Sequence, residues 1–289
     1  MGADIGASVL ARLKNTAAQT GRSFQLCLQL FCQEEFLRRL ERSRYAENFV
    51  LKGGLFLYTL TNFKSRITAD VDFLLRNLPN TQEKLAVILE EIISVDTDNG
   101  FVTFEIVKMA PIAVESKYAG IGASLIVRIK NTRTGLRIDF GVGDTIVPPE
   151  KKRAIPVQLP DFSTPVINTY SLETVAAEKL DAILTRMSST SRMKDFYDLW
   201  YLANHFEFDK DLLAQAFQNT FKNRNHKFTV EDFEQIRTFN TIDDMSVRWT
   251  AFTRKNKLET DDLNTVLEAI QMFFAEPFAS AVQGVPPAE

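Results

Sequence analysis

A chain of 289 residues, 45% hydrophobic and 25% charged, is long enough to bury a sizeable core as one large domain or two modest ones; its composition excludes a disordered or fibrous protein. The formal charge of −3, from 34 basic and 37 acidic residues, gives no overall cationic field for nucleic acid, so any RNA contact falls to a local patch. No run approaches the ~18 apolar residues of a membrane span, and residues 1–15 lack the basic end and long apolar stretch of a signal peptide, so the sequence reads as cytoplasmic and not membrane-bound.

Residues 1–47 are predicted helical, with Leu26, Leu30 and Leu37 recurring near the 3.6 period and Arg38, Arg39, Glu41 and Arg42 following as a polar stretch. Cys27 and Cys32 lie in that pattern without the further ligands of a zinc site or disulfide framework, and read as reduced helix cysteines. A short apolar run, 49–52, leads into Gly53-Gly54, and residues 55–60 resume as a helix. A strand is predicted over 70–76, an amphipathic helix over 83–94, and a strand over 101–107 that alternates through Phe101, Thr103 and Glu105.

Residues 124–130 and 136–140 alternate with period two around 131–135, whose composition suits the turn of a hairpin. Pro148, Pro149, Pro156, Pro160 and Pro165 then punctuate a stretch unfit for a helix, and the domain boundary is placed there, dividing 1–165 from 166–289. From Ser171 the chain reads as helical, in segments 171–187, 192–204, 209–222, 229–240 and 260–275, with Ser171, Thr229 and Thr260 as N-caps and 281–289 as a frayed tail. The 23 phenylalanines suggest aromatic packing between helices. The fold class is α+β, a sheet with flanking helices followed by an all-helical C-terminal domain.

Alternate side chains of a strand share a face, so Asp70 and Asp72 project together while Val71 and Phe73 point the other way. Two carboxylates in one small volume repel unless a cation sits between them. Magnesium meets that need, because it takes oxygen ligands and is shared between one or two carboxylates and a substrate's phosphates. Asp139 lies between Ile138 and Phe140 and shares a side with Arg137; it is a natural third ligand and equally a candidate catalytic base, roles the sequence does not separate. Gly53 and Gly54 open a helix whose first-turn N–H groups suit phosphate oxygens, and Arg66 and Thr68 stand just before the carboxylates.

In the helical half, Leu172, Val175, Ala176, Leu180, Ile183, Leu184 and Met187 form one apolar stripe that also contains Lys179 and Arg186. A lysine in such a face needs a partner, a phosphate or a carboxylate, or else a route past its neighbours to water, and Lys179 is a candidate for such a contact. Asp195 lies beside the apolar edge of Leu199 and Leu202, suited to orienting Lys179, to accepting the proton of an attacking hydroxyl, or to plain pairing with Arg192 or Lys194. Asp198 is expected to be more exposed. Tyr197, Trp200 and Tyr201 read as packing residues, and His205 and His226 as ordinary histidines without acidic company at metal spacing. The candidate RNA patches are Lys151, Lys152 and Arg153, and the hairpin cations Arg128, Lys130, Arg133 and Arg137, although each taken alone reads first as solvated surface charge.

Taken in order, Lys52-Gly53-Gly54, Arg66-Ile-Thr-Ala-Asp70-Val-Asp72, Glu178-Lys179-Leu-Asp-Ala and Arg192-Met-Lys-Asp195-Phe-Tyr-Asp198 resemble the AbiEii/AbiGii toxin family over about residues 48–202. The resemblance implies a polymerase-beta-type nucleotidyltransferase domain followed by a helical domain that contributes Lys179 and Asp195 to the cleft, acting as a toxin with a cognate antitoxin in a toxin–antitoxin or abortive-infection system. It implies phosphate binding at Gly53 and Gly54, metal binding at Asp70 and Asp72, a triphosphate contact at Lys179 and a catalytic carboxylate at Asp195. The reaction expected is magnesium-dependent transfer of a nucleoside monophosphate from a triphosphate to the 3′ end of tRNA or another RNA. A protein acceptor, or a nucleotide-binding (GTP-binding) regulator without transfer, is the alternative. Two departures bear on nucleotide preference: Gly54 stands where many nucleotidyltransferases have serine, and Leu55-Phe56 replaces a small residue and alanine.

Overall fold

The structure, a computed structural model, describes residues 4–112, 120–187, 192–242 and 244–283. They form two compact units, one of residues 1–143 with 151–169 and the other of 144–150 with 170–289.

The first unit opens with α1 (Ile5–Thr20) and α2 (Phe24–Arg42), capped by the side chains of Asp4 and Ser23. It continues through β1 (Phe49–Lys52), α3 (Gly53–Leu60), β2 (Asp70–Leu75), α4 (Gln82–Ile93), β3 (Val102–Ile112), β4 (Gly120–Ile129), β5 (Thr132–Gly141), β6 (Lys151–Ala154) and β7 (Val166–Thr169). The strands make one mixed sheet in the order β3-β4-β5-β2-β1-β7-β6, parallel between β2 and β5 and between β1 and β7. Phe49, Phe73 and Phe140 meet on one face of its centre, where Phe36 of α2 packs against Phe73. Alternation then leaves Lys52, Asp70, Asp72, Arg137 and Asp139 on the opposite face.

Three local expectations change in this unit. Arg38 and Arg39 are buried, because Glu34 and Glu35 pair with Arg38, Glu35 also pairs with Arg39, and backbone carbonyls of Ser163 and Val102 accept their remaining donors. The hairpin turn shrinks to Lys130-Asn131: Thr132 already pairs with Ile129, and Lys130 takes the left-handed φ of 53° that so tight a reversal demands. The proline-rich stretch is free of helix but contributes β6, which pairs with β7; every proline lies outside both strands, where no ladder N–H is missed.

In the second unit the described residues from Leu172 onward are helical or in short connections: α5 (Leu172–Arg186), α6 (Met193–His205), α7 (Lys210–Arg224), α8 (Val230–Glu234), a 3-10 stretch (Gln235–Thr241), α9 (Met245–Asn256) and α10 (Leu263–Gln283). Ser171 caps α5, and Thr229 forms a reciprocal capping box with Asp232. Helix α9 was not legible in the sequence. Helix α10 begins later than expected, with Asp262 rather than Thr260 bonding the first-turn N–H of Thr265, and it runs on through a buried Pro277 into the segment expected to fray. The rest of that tail, 284–289, lies outside the described residues. Aromatic packing joins these helices, as between Phe217 and Phe274 and between Phe233 and Phe278. No helix among the described residues is long and apolar enough to cross a membrane.

Candidate active site

Strand register builds the first cluster. Lys52 lies opposite Asp72 in the antiparallel pair β1–β2, and Asp72 lies beside Asp139, and Asp70 beside Arg137, in the parallel pair β2–β5. Asp70 is exposed and Asp72 half-buried, so both carboxylates leave the same side of β2 at the edge of solvent. Arg137 donates through Nε to Asp139 Oδ1 at 2.7 Å.

Helix α3 starts where β1 ends. Gly53 has φ +66°, and a Cβ there would overlap the Asp72 carboxylate, with Asp72 Cγ at 2.8 Å; no side chain other than hydrogen fits. A Cβ on Gly54 would stand 2.9 Å from Thr68 Oγ1 and 3.4 Å from Arg66 Nη2. Lys52, at the N-cap, makes no capping bond with its side chain. The first turn of α3, with its positive dipole end, is thus flanked by Thr68, Arg66 and the Asp72 carboxylate. Gly53, Gly54, Arg66, Thr68 and Asp72 are brought together here, and Asp70 lies two residues along the same face of β2.

The donor set suits magnesium in one respect and stops short in another. Two oxygen-bearing side chains on one face match an ion that completes its shell with water and phosphate. Among the described residues, however, no three His, Cys, Asp or Glu side chains gather as a metal cage, and Asp139 is held by Arg137 instead of closing on Asp70 and Asp72.

The second unit carries the other candidates. Lys179, 8% exposed on α5, donates to Asp195 Oδ1 at 3.2 Å and to Asp198, and Arg192 donates to the other oxygen of Asp195. Asp198 is 2% exposed, against the expectation of exposure, because three residues along α6 return it to the face of Asp195 and the shared ammonium. Burial alone would raise the pKa of Asp195, but Lys179 and Arg192 outweigh it and hold the carboxyl below its ordinary value. Lys179 is therefore no snorkelling lysine.

The profile of one family, described as "Nucleotidyl transferase AbiEii toxin, Type IV TA system", matches residues 35–280. The chain belongs to this AbiEii family. The match spans every candidate residue named above. Two solved structures from Helicobacter pylori are similar at 16% identity and a TM-score of 0.49: a candidate nucleotidyltransferase, over 92% of this chain and 100% of that one, and JHP933, over 90% and 94%. No curated protein matches.

Sequence reasoning missed several parts of the AbiEii chain. Lys52 and Arg137 lie beside the carboxylates as counter-charges; alternation put Arg137 on the side of Asp139, but only register gave its neighbour Asp70 and set Lys52 against Asp72. Arg224 pairs with Asp181 at 2.9 Å, Asp144 at 3.2 Å and Glu178 at 3.4 Å. His226, expected to lack acidic company, meets Asp181 Oδ1 through Nδ1 at 2.6 Å. Glu178 and Asp181 lie close to Lys179 in sequence, yet the charged partners they share, Arg224 and, for Asp181, His226, lie over 40 residues away, and no local spacing signals them. Tyr197 packs on Trp200 and on Tyr201, in keeping with their reading as packing residues, and His205 stacks on Tyr201. Arg186 is half-buried.

Proposed function

We propose that this AbiEii-family chain is a magnesium-dependent nucleotidyltransferase of the polymerase-beta type that moves a nucleoside monophosphate from a triphosphate to the 3′-terminal hydroxyl of tRNA. The observation that carries this reading is the seating of Asp72 against Gly53, which sets a carboxylate pair beside the N–H groups opening α3. A carboxylate pair that can share a divalent cation and first-turn amides that can take a phosphate are the two halves of a metal–triphosphate site, and here they adjoin.

Asp70 and Asp72 would hold the ion, which supplies charge neutralisation for the triphosphate when bound. The first-turn amides of Gly53 and Gly54 bind phosphate oxygens, with Arg66 and the Thr68 hydroxyl beside them. The acceptor oxygen forms its bond to the alpha phosphorus as the bond to the beta-phosphate oxygen breaks. Pyrophosphate departs, and the hydroxyl proton passes to a carboxylate, Asp139 or Asp195. Positioning and electrostatics supply most of the rate. For Lys179 as the triphosphate contact and Asp195 as the catalytic carboxylate, support comes from the family match and from the buried charge network that holds both. A cognate antitoxin restrains the activity in a cytoplasmic setting.

The test offers each of the four alpha-labelled triphosphates with total RNA and, separately, with total protein. Label is expected in tRNA with the wild-type chain and absent with Asp72→Ala of unchanged circular dichroism. An equally active Asp72→Ala variant overturns the mechanism, and label confined to protein overturns the acceptor.

A further inference from the structure

The environment of Arg137 contains more than a salt bridge. Its guanidinium crosses strand β4 at Gly122, the register partner of Asp139. A Cβ on Gly122 would overlap Arg137 Nη2, would come within 2.7 Å of Cζ and would lie 2.9 Å from Asp139 Oδ1. The absence of a side chain there opens a notch through which the arginine reaches its carboxylate. Ser124 Oγ lies 3.5 Å from Nη1 on the other side.

The carboxylate so held is the neighbour of Asp72 across β2–β5, the one best placed to complete a three-carboxylate set. Held by Arg137, it does not complete that set. The pair is also partly solvated, with side-chain exposures of 42% for Arg137 and 27% for Asp139. An ion pair that open contributes little net stability, so it separates readily when a better partner arrives. For a guanidinium that partner is a phosphate, which offers its planar fork two oxygens and more charge than a carboxylate.

We propose that Arg137 is a latch on Asp139. In the nucleotide-free chain it masks the third carboxylate, leaving divalent cation to Asp70 and Asp72 alone. The phosphates of an arriving nucleotide draw the guanidinium off, and Asp139 becomes available as ligand or base only when substrate is present. This rests on the carboxylate pair being a cation site, as proposed above, and adds to it the order in which that site is assembled.

The experiment titrates the full chain with Mn2+ alone, without nucleotide, and reads bound ion by electron paramagnetic resonance. Wild type is expected to show a site that Asp72→Asn removes. Arg137→Gln, which unmasks Asp139, is expected to bind Mn2+ roughly tenfold tighter, equivalent to about 1.4 kcal/mol, or to take a second ion. Gly122→Ala keeps the positive charge but pushes the guanidinium off Asp139, and is expected to show the same gain. Arg137→Lys, with charge but no fork, falls between and serves if either other variant fails to fold.

A gain in Arg137→Gln with none in a folded Gly122→Ala would make Arg137 a remote repelling charge and overturn the latch. Identical binding by wild type and all three Arg137 and Gly122 variants would overturn it as well. Mn2+ binding that survives Asp72→Asn unchanged overturns the cation site itself, a failure distinct from that of the latch.

Discussion

The carboxylate of Asp72 fills the space that a Cβ on Gly53 would need, its Cγ 2.8 Å from that position, while the glycine holds φ at +66°. Two separate costs therefore meet at one substitution. Gly53→Ala should lose about 1–2 kcal/mol to the left-handed backbone alone and should also push Asp72 out of line with Asp70. Gly54→Ala, by contrast, carries no left-handed backbone and meets the Thr68 side chain, Oγ1 at 2.9 Å and Cβ at 3.0 Å. Thermal melting and nucleotide transfer measured on both variants should show Gly53→Ala as the worse in each; equal effects would mean that the Gly53 contact constrains nothing.

Lys179 poses a question that activity alone does not answer. Its ammonium is shared by Asp195 and Asp198, 1% and 2% exposed, so Lys179→Met strips two buried carboxylates of their common counter-charge. Breaking a buried pair in this way costs about 3–5 kcal/mol, enough to unfold a marginal protein. The triple variant Lys179→Met, Asp195→Asn, Asp198→Asn removes the shared ammonium with both its carboxylates, leaves only the more exposed Arg192 charged, and should recover most of the loss in urea unfolding. Transfer activity of that stable triple variant then decides the matter: its absence assigns the network to chemistry, and its presence returns the network to packing.

What the sequence revealed about this fold and site, it revealed through short-range periodicity. Asp70-Val71-Asp72-Phe73 announces its two faces because a strand alternates strictly, and Ser171 and Thr229 announce their helices because a cap acts within three residues. Contacts set by register or tertiary approach left no such trace. Nothing near Arg137 says that β4 offers a glycine beneath it, and nothing near Asp198 says that Lys179 will bury it. Strands β6 and β7 are four residues each and gain their identity from pairing, β6 with β7 and β7 also with β1, so composition showed only that prolines exclude a helix. Arg38 and Arg39 looked like a solvated stretch because the carbonyls that receive them come from Ser163 and Val102, far along the chain.

The depressed pKa of Asp195 makes stability depend on acid. Lys179 and Arg192 favour its ionised form in the folded chain, so its contribution is complete above the unfolded value near 3.8 and is lost as pH falls through the lower folded value. Urea midpoints taken from about pH 5 to about pH 2.5 should fall steeply for the wild type and less steeply for Asp195→Asn. Parallel curves would mean that the carboxylate gains nothing from its partners.

Glu34 works in the opposite sense. It is buried in α2, and burial pushes its carboxyl up to about 8 against the pull of Arg38 and the backbone N–H of Gln158. Arg38 does not depend on it for counter-charge, since Glu35 pairs with Arg38 at 3.2 Å as well as with Arg39. Below the ordinary value of 4.5 both folded and unfolded chains carry the proton. Between 4.5 and about 8 the unfolded chain releases it while the folded chain keeps it, so the unfolded state binds fewer protons and stability declines as pH rises; above about 8 both are ionised and the decline ends. Glu34→Gln retains an acceptor for the Gln158 N–H and removes the titration. Guanidinium unfolding across that window should show a downward slope in the wild type that is absent in Glu34→Gln. A wild-type slope no steeper than that of the variant would mean that Glu34 stays ionised throughout, as a full partner of Arg38.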